Sequence, residues 1–78
     1  MANPHTPIRK VIVNSTPIEL HKLLKFENLV ESGGEAKLVI TEGRVRVNGE
    51  VETRRGRKLY KGDIVTIGKT HLEIDAPA

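Results

Sequence analysis

The sequence has 78 residues and a mass of 8.7 kDa, room for one domain and none for a catalytic domain beside it. It contains no Cys, which excludes a disulfide framework and a thiolate zinc site, so packing alone must hold the fold. The formal net charge of +3 conceals an asymmetry: Arg44–Lys61 holds seven basic residues and two acidic ones, a local charge of +5, while the other 60 residues sum to −2. A patch of that sign favours a polyanion, of which nucleic acid is the commonest. No apolar run approaches the roughly 18 residues of a membrane span, and the first residues lack a signal-peptide pattern. The expectation is a cytoplasmic protein with no membrane contact.

Residues 1–7, with two prolines and no periodicity, read as a disordered tail. Ile8–Val13 is a β-branched run and reads as a strand. Thr16-Pro17-Ile18-Glu19 reads as a helix start, with Thr16 as cap, Pro17 in the first position and Glu19 closing a capping box. Leu20, Leu23 and Leu24 follow at helical spacing. Asn28 suits a left-handed terminator, with Leu29 and Val30 folding back over the last turn.

A second helix opens at Ser32 by the same logic, with Glu35 three residues on and Ala36, Val39 and Ile40 as its apolar stripe. Gly43 ends it. Two short helices joined by about four residues must pack together, because neither buries its stripe alone. The period then changes to 2: Val45 and Val47 turn inward while Arg44 and Arg46 face solvent. Asn48-Gly49 marks a turn. A strict two-residue turn sets Val47 opposite Glu50, a poor match, so an odd-length loop pairing a valine with Val51 is expected. Thr53–Lys58 reads as a basic loop. Lys61-Gly62-Asp63 is a turn, Ile64–Ile67 a strand in which one of Ile64 and Val65 turns outward, and Thr70–Ile74 a last strand with Leu72 and Ile74 on one face. The chain from Asp75 is expected to fray.

Catalytic chemistry finds little support. His5, His21 and His71 fall on a tail, a helix and a strand, at no spacing that suits a metal pair or a triad. Ser32-Gly33-Gly34 lacks the Gly-Lys-Ser/Thr of a nucleotide-binding loop. No metal, cofactor or small-molecule substrate is expected. Nucleic-acid binding fits better. The N–H groups of Gly33 and Gly34 at a helix start, with Lys37 one turn on, can hold a phosphate. Arg44 and Arg46 share a solvent face, and Arg54, Arg55, Arg57 and Lys58 extend it if the hairpin folds the loop back. With Phe26 and Tyr60 as the only aromatics, a base-stacking platform is not expected, and recognition runs through phosphates and shape.

Ser32-Gly33-Gly34-Glu35-Ala36-Lys37, then Ile40-Thr41-Glu42-Gly43-Arg44-Val45-Arg46-Val47-Asn48-Gly49, then Lys58-Leu59-Tyr60-Lys61-Gly62-Asp63, resemble in order and spacing the RNA-binding domain first known from the small-subunit ribosomal protein S-four, the alpha-L motif. The resemblance covers residues 16 to about 67. It is to the small stand-alone bacterial members in particular, the YbcJ-like proteins. It implies an α+β fold over residues 8–75: two short packed helices against a small twisted, mostly antiparallel sheet of about four or five strands. It also implies a non-catalytic RNA binder; with the basic window and the few aromatics, the expectation is a monomeric binder of structured RNA, rRNA or tRNA-like, associated with translation or with ribosomal particles. The RNA face carried over by position comprises Ser32, Gly33, Gly34, Lys37, Arg44, Arg46 and the basic loop. Two departures stand out: many members have Arg-Leu-Asp where this chain has Glu19-Leu20-His21, and Arg where it has Gly33. The Arg54–Lys58 cluster is placed to compensate.

Two other readings compete. The basic patch can instead meet an acidic protein partner in a ribosome- or translation-associated complex. The helix pair can be a helix-turn-helix for duplex DNA, although Glu35 and Glu42 against Lys37 alone make a poor major-groove surface.

Overall fold

A computed structural model describes residues 8–77 of the chain, so the expected tail at residues 1–7, with His5, lies outside the described residues. The elements are β1 (Ile8–Ile12), β2 (Ile18–Glu19), α1 (Leu20–Phe26), α2 (Gly33–Thr41), β3 (Val45–Val47), β4 (Glu50–Val51), β5 (Lys58–Leu59), β6 (Ile64–Ile67) and β7 (Thr70–Asp75). Five strands form one sheet in the order β1-β7-β6-β3-β4, and β2 pairs with β5 in a second, two-stranded sheet. Only the β1–β7 pair is parallel. The expected α+β class, two helices on a mostly antiparallel sheet, is the one observed.

One face of the large sheet is covered. Val11, Val45, Val47, Val65, Leu72 and Ile74 point inward and join Leu20, Leu23, Leu24, Ala36, Val39, Ile40 and Leu59 in a single core. The strand alternation anticipated for Ile64 and Val65 holds: Val65 is fully buried and Ile64 turns outward, half-buried. On the opposite face, the cross-strand row Val51, Arg46, Thr66, His71 and Ile8 is exposed or half-buried.

Both helices end as their sequences dictate. Asn28 adopts φ 58°, Leu29 N–H donates to the Leu24 carbonyl and Asn28 N–H to that of Lys25. Gly43, at φ 78°, ends α2 in the same manner, with Arg44 N–H on Val39 and its own N–H on Ile40. This paired arrangement satisfies carbonyls that a helix end would otherwise leave open. At the front of α2, Ser32 Oγ accepts the Glu35 N–H at 3.1 Å. The Glu35 carboxylate returns the bond one residue earlier than a strict capping box, to Glu31 N–H at 2.7 Å.

The start of α1 differs from expectation. Thr16 caps nothing and Pro17 is not helical; the helix begins at Leu20, and its N-cap Glu19 makes no side-chain capping bond. Ile18 and Glu19 are instead a short strand against Leu59 and Lys58. The open donors of the first helical turn go to the basic loop: Leu20 N–H bonds the Arg57 carbonyl at 2.9 Å and His21 N–H the Arg55 carbonyl at 3.0 Å. A distant backbone segment thus does the work of a local cap.

The β3–β4 hairpin also departs from expectation. The loop is two residues, not odd-length: Val47 pairs with Glu50 and Arg46 with Val51. Asn48 at φ 54° and Gly49 at φ 87° supply the two left-handed residues that a tight hairpin turn of matching twist requires. The register leaves Val51 half exposed and turns Glu52 inward beside Val45, whose carbonyl accepts the Glu52 N–H at 2.9 Å. The turn is tied to the next one, because Asn48 Nδ2 donates to Asp63 Oδ1 at 3.1 Å and Asn48 Oδ1 accepts the Ile64 N–H at 2.9 Å. At the C-terminus, Asp75 does not fray: it pairs with Ile12 in β7, its carbonyl accepts the Val13 N–H, and Ala76 packs on the core.

Candidate nucleic-acid interface

The ten residues expected to meet RNA fall in three places. Ser32, Gly33, Gly34 and Lys37 are exposed on the first turns of α2. The Gly33 and Gly34 N–H groups precede the first intrahelical bond, Ala36 to Ser32, so the helix itself leaves them free. Arg44 and Arg46 lie beyond the other end of α2, both exposed with Val45 buried between them, as the alternation requires. Arg54, Arg55, Arg57 and Lys58 form the segment that docks on the start of α1.

That segment is built around an acid. Glu52 is only 7% exposed, the one buried charged residue among those described. Its carboxylate accepts Arg57 Nη1 at 2.7 Å, Arg54 Nε at 2.8 Å, Arg54 Nη2 at 3.1 Å and the Arg54 N–H at 3.1 Å. A buried carboxylate without such partners would be costly, whereas charge-assisted bonds to guanidinium forks offset its desolvation. The Arg54 side chain, then Arg57 and the Arg54 N–H, hold the Glu52 carboxyl down at about 2, against the burial that opposes ionisation. In the sequence, Glu52 reads only as an acid diluting the patch. Its signal is a carboxylate just past the end of β4, followed at two, three and five residues by arginines.

The ion pairs sort the patch. Arg54 and Arg57 are held by Glu52, Arg44 Nε lies 3.4 Å from Glu42, and Lys61 lies 3.8 Å from Asp75. Lys37, Arg46, Arg55 and Lys58 make no ion pair with the described residues. Arg46 Nη1 bonds the Gly49 carbonyl at 3.3 Å and otherwise projects from the open sheet face. Arg54 stays 73% exposed despite its bonds, so it still presents charge outward.

The histidines have local partners. His21 Nε2 is 2.9 Å from Glu19 Oε1, and His71 Nδ1 is 2.9 Å from Thr66 Oγ1, leaving His71 half-buried rather than fully exposed. His21, then Lys22, lower the Glu19 pKa. Among the described residues, no helix is long and apolar enough to cross a membrane.

Comparison with known proteins places this geometry. A family model described as S4 domain matches residues 11–75. The chain is 43% identical over 67 residues to a probable ribosome maturation protein, RlbA, of Bacillus subtilis, covering 86% of each chain. It is 42% identical over 59 residues to the putative RNA-binding protein YbcJ of Escherichia coli, covering 76% of this chain and 84% of that one. The solution structure of Escherichia coli YbcJ, described as an alpha-L motif involved in RNA binding, superposes with a TM-score of 0.67 at 35% identity, over 97% of this chain and 98% of that one. The two-helix, mixed-sheet architecture and the sequence match agree: this chain belongs to the S4 domain family.

Proposed function

We propose that this protein binds structured RNA, rRNA or tRNA-like, without catalysing a reaction. The interface comprises the α2 start (Ser32, Gly33, Gly34, Lys37), the β3 arginines Arg44 and Arg46, and the loop Arg54, Arg55, Arg57 and Lys58. The observation that carries the reading is the loop pinned by Glu52. Two of its cations hold the backbone in place, and that fixed backbone presents Arg55 and Lys58, neither of which makes an ion pair with the described residues; Glu19, opposite Lys58 on β2, is bonded to His21. Fixed cations meet a phosphate array at a lower ordering cost than mobile ones. The names of the relatives support the reading, and that of the Bacillus subtilis relative favours ribosomal RNA as the target.

Titration against bacterial rRNA fragments and tRNA over a salt series tests this. Contact with four or five phosphates gives a slope of log K against log salt of about −3 to −4.5. Replacing Arg55 and Lys58 together with Ala should weaken binding and flatten that slope by about 1.5, because two contacts are lost and Glu52 keeps its partners. Affinity independent of salt, or association with a protein partner that survives nuclease, would overturn the reading.

A further inference from the structure

Beside the basic loop lies a groove of about 450 Å³ between the β1–β2 connection and α1, within the size range of small-molecule sites. Its apolar lining residues are Val13, Pro17, Ile18 and Phe26, and its cations are Lys22 and Lys58. Phe26 is the last residue of α1 and is 58% exposed, one of the two aromatics in the chain and not part of the core. Glu19 is the carboxylate of the groove, flanked by His21 Nε2 at 2.9 Å, by Lys22 Nζ at 3.7 Å and by Lys58, its cross-strand partner, so the two lysines outweigh its charge and leave the groove net positive.

We infer that this groove takes one unpaired nucleotide of the bound RNA, its base stacked on the Phe26 ring and its flanking phosphates met by Lys22 and Lys58. The inference rests on the RNA-binding reading and deepens it. Two observations select a nucleotide as occupant. An exposed aromatic residue lining the same groove as two cations matches a base between phosphates, since every base offers a π-face and carries anionic neighbours. The groove is also continuous with the basic loop, because Lys58 belongs to both, so RNA on Arg55 and Lys58 passes its edge. A single aromatic does not make a platform for a run of bases; it makes a seat for one. Duplex regions are read through phosphates and shape, and an unpaired base adds the local contact.

The test compares two RNA hairpins of equal length, one fully paired and one with a single bulged 5-iodouridine. The wild-type protein should bind the bulged hairpin about tenfold more tightly, within the usual range for one stacked base. Irradiation should crosslink the bulge to Phe26. Phe26→Leu should abolish the preference and leave affinity for the paired hairpin unchanged, whereas Phe26→Tyr should keep the preference. Because Phe26 is exposed, both variants retain the core, and a merely structural role would shift the melting temperature without changing the ratio of the two affinities. Equal affinity of the wild type for the two hairpins, or a preference that survives Phe26→Leu, would overturn the groove assignment alone. Binding to neither hairpin would overturn the groove and the RNA-binding reading together.

Discussion

Arg57 Nη1 donates to Glu52 Oε1 at 2.7 Å, and this contact pins the basic loop to the residue that follows β4. Through its carbonyl, the same Arg57 accepts the Leu20 N–H and so caps the first helix. A basic loop rich in like charge would repel itself and wander. Here one buried carboxylate gathers two of its arginines, and the backbone they fix completes a helix end. Local charge, helix capping and the β2–β5 pairing therefore depend on one residue.

That dependence has a pH signature. The Glu52 carboxyl sits at about 2 in the folded protein, against an ordinary 4.5, so the ionised form is the one that folding favours. Its stabilising effect is fully present above the ordinary value and is lost as the pH falls toward about 2. Glu52→Gln should destabilise the protein at neutral pH by about 1–3 kcal/mol, since it removes charge-assisted bonds to the exposed Arg54, which can turn to water, and to the half-buried Arg57. Thermal melts of both proteins from neutral pH downward should show the gap between them narrowing below pH 4.5. A gap constant with pH would separate the stability effect from ionisation.

Asn48 holds two turns together, through a left-handed backbone and bonds to Asp63 and Ile64. Asn48→Gly keeps the backbone conformation and loses the bonds, whereas Asn48→Ala loses both. We expect a cost of about 1–2 kcal/mol for Gly and about 1 kcal/mol more for Ala. In a domain of this size each kcal/mol lowers the melting temperature by about 4–8 °C. Equal melting temperatures for the two variants would show that the φ of 54° carries no stability.

Gly33, where the family resemblance leads one to expect Arg, opens α2 without a side chain. A Cβ placed there meets nothing within 4 Å, and φ is not in the left-handed region, so the helix start has room for a side chain. Gly33→Arg should leave the fold intact and make the salt slope steeper by about 1 as one phosphate contact is added. An affinity and slope equal to wild type would place the α2 start outside the RNA face.

What was legible in the sequence were the elements whose signals are local. Ser32 and Glu35 bracket the start of α2, Asn28 and Gly43 end the two helices with the left-handed geometry their residue types permit, and the alternation Val45-Arg46-Val47 sorts its own faces. The errors share one physical cause. Thr16-Pro17-Ile18-Glu19 carries every local mark of a helix start, yet pairing with Leu59 and capping by the Arg55 and Arg57 carbonyls decide where the helix begins, and those partners are about forty residues away. Likewise, Val47 opposite Glu50 looks unfavourable in isolation. The two-residue turn stands because its register delivers Glu52 to Arg54 and Arg57, a gain that hydrophobic pairing rules do not contain. The basic residues of the candidate face, Lys37 apart, were visible as a charge run. The division between those that build the loop and those left to face outward was not, because it depends on which side of a strand one glutamate falls.

The most direct test is the affinity of Glu52→Gln for a bacterial rRNA fragment at fixed low salt. The substitution removes an acid from the basic window and raises its local charge from +5 to +6. If charge alone governed binding, affinity would rise. If Glu52 holds the loop in its binding conformation, affinity should fall by about three- to tenfold, the cost of ordering one or two side chains on binding. Unchanged or tighter binding by Glu52→Gln would contradict the role assigned to the Glu52–Arg57 pair.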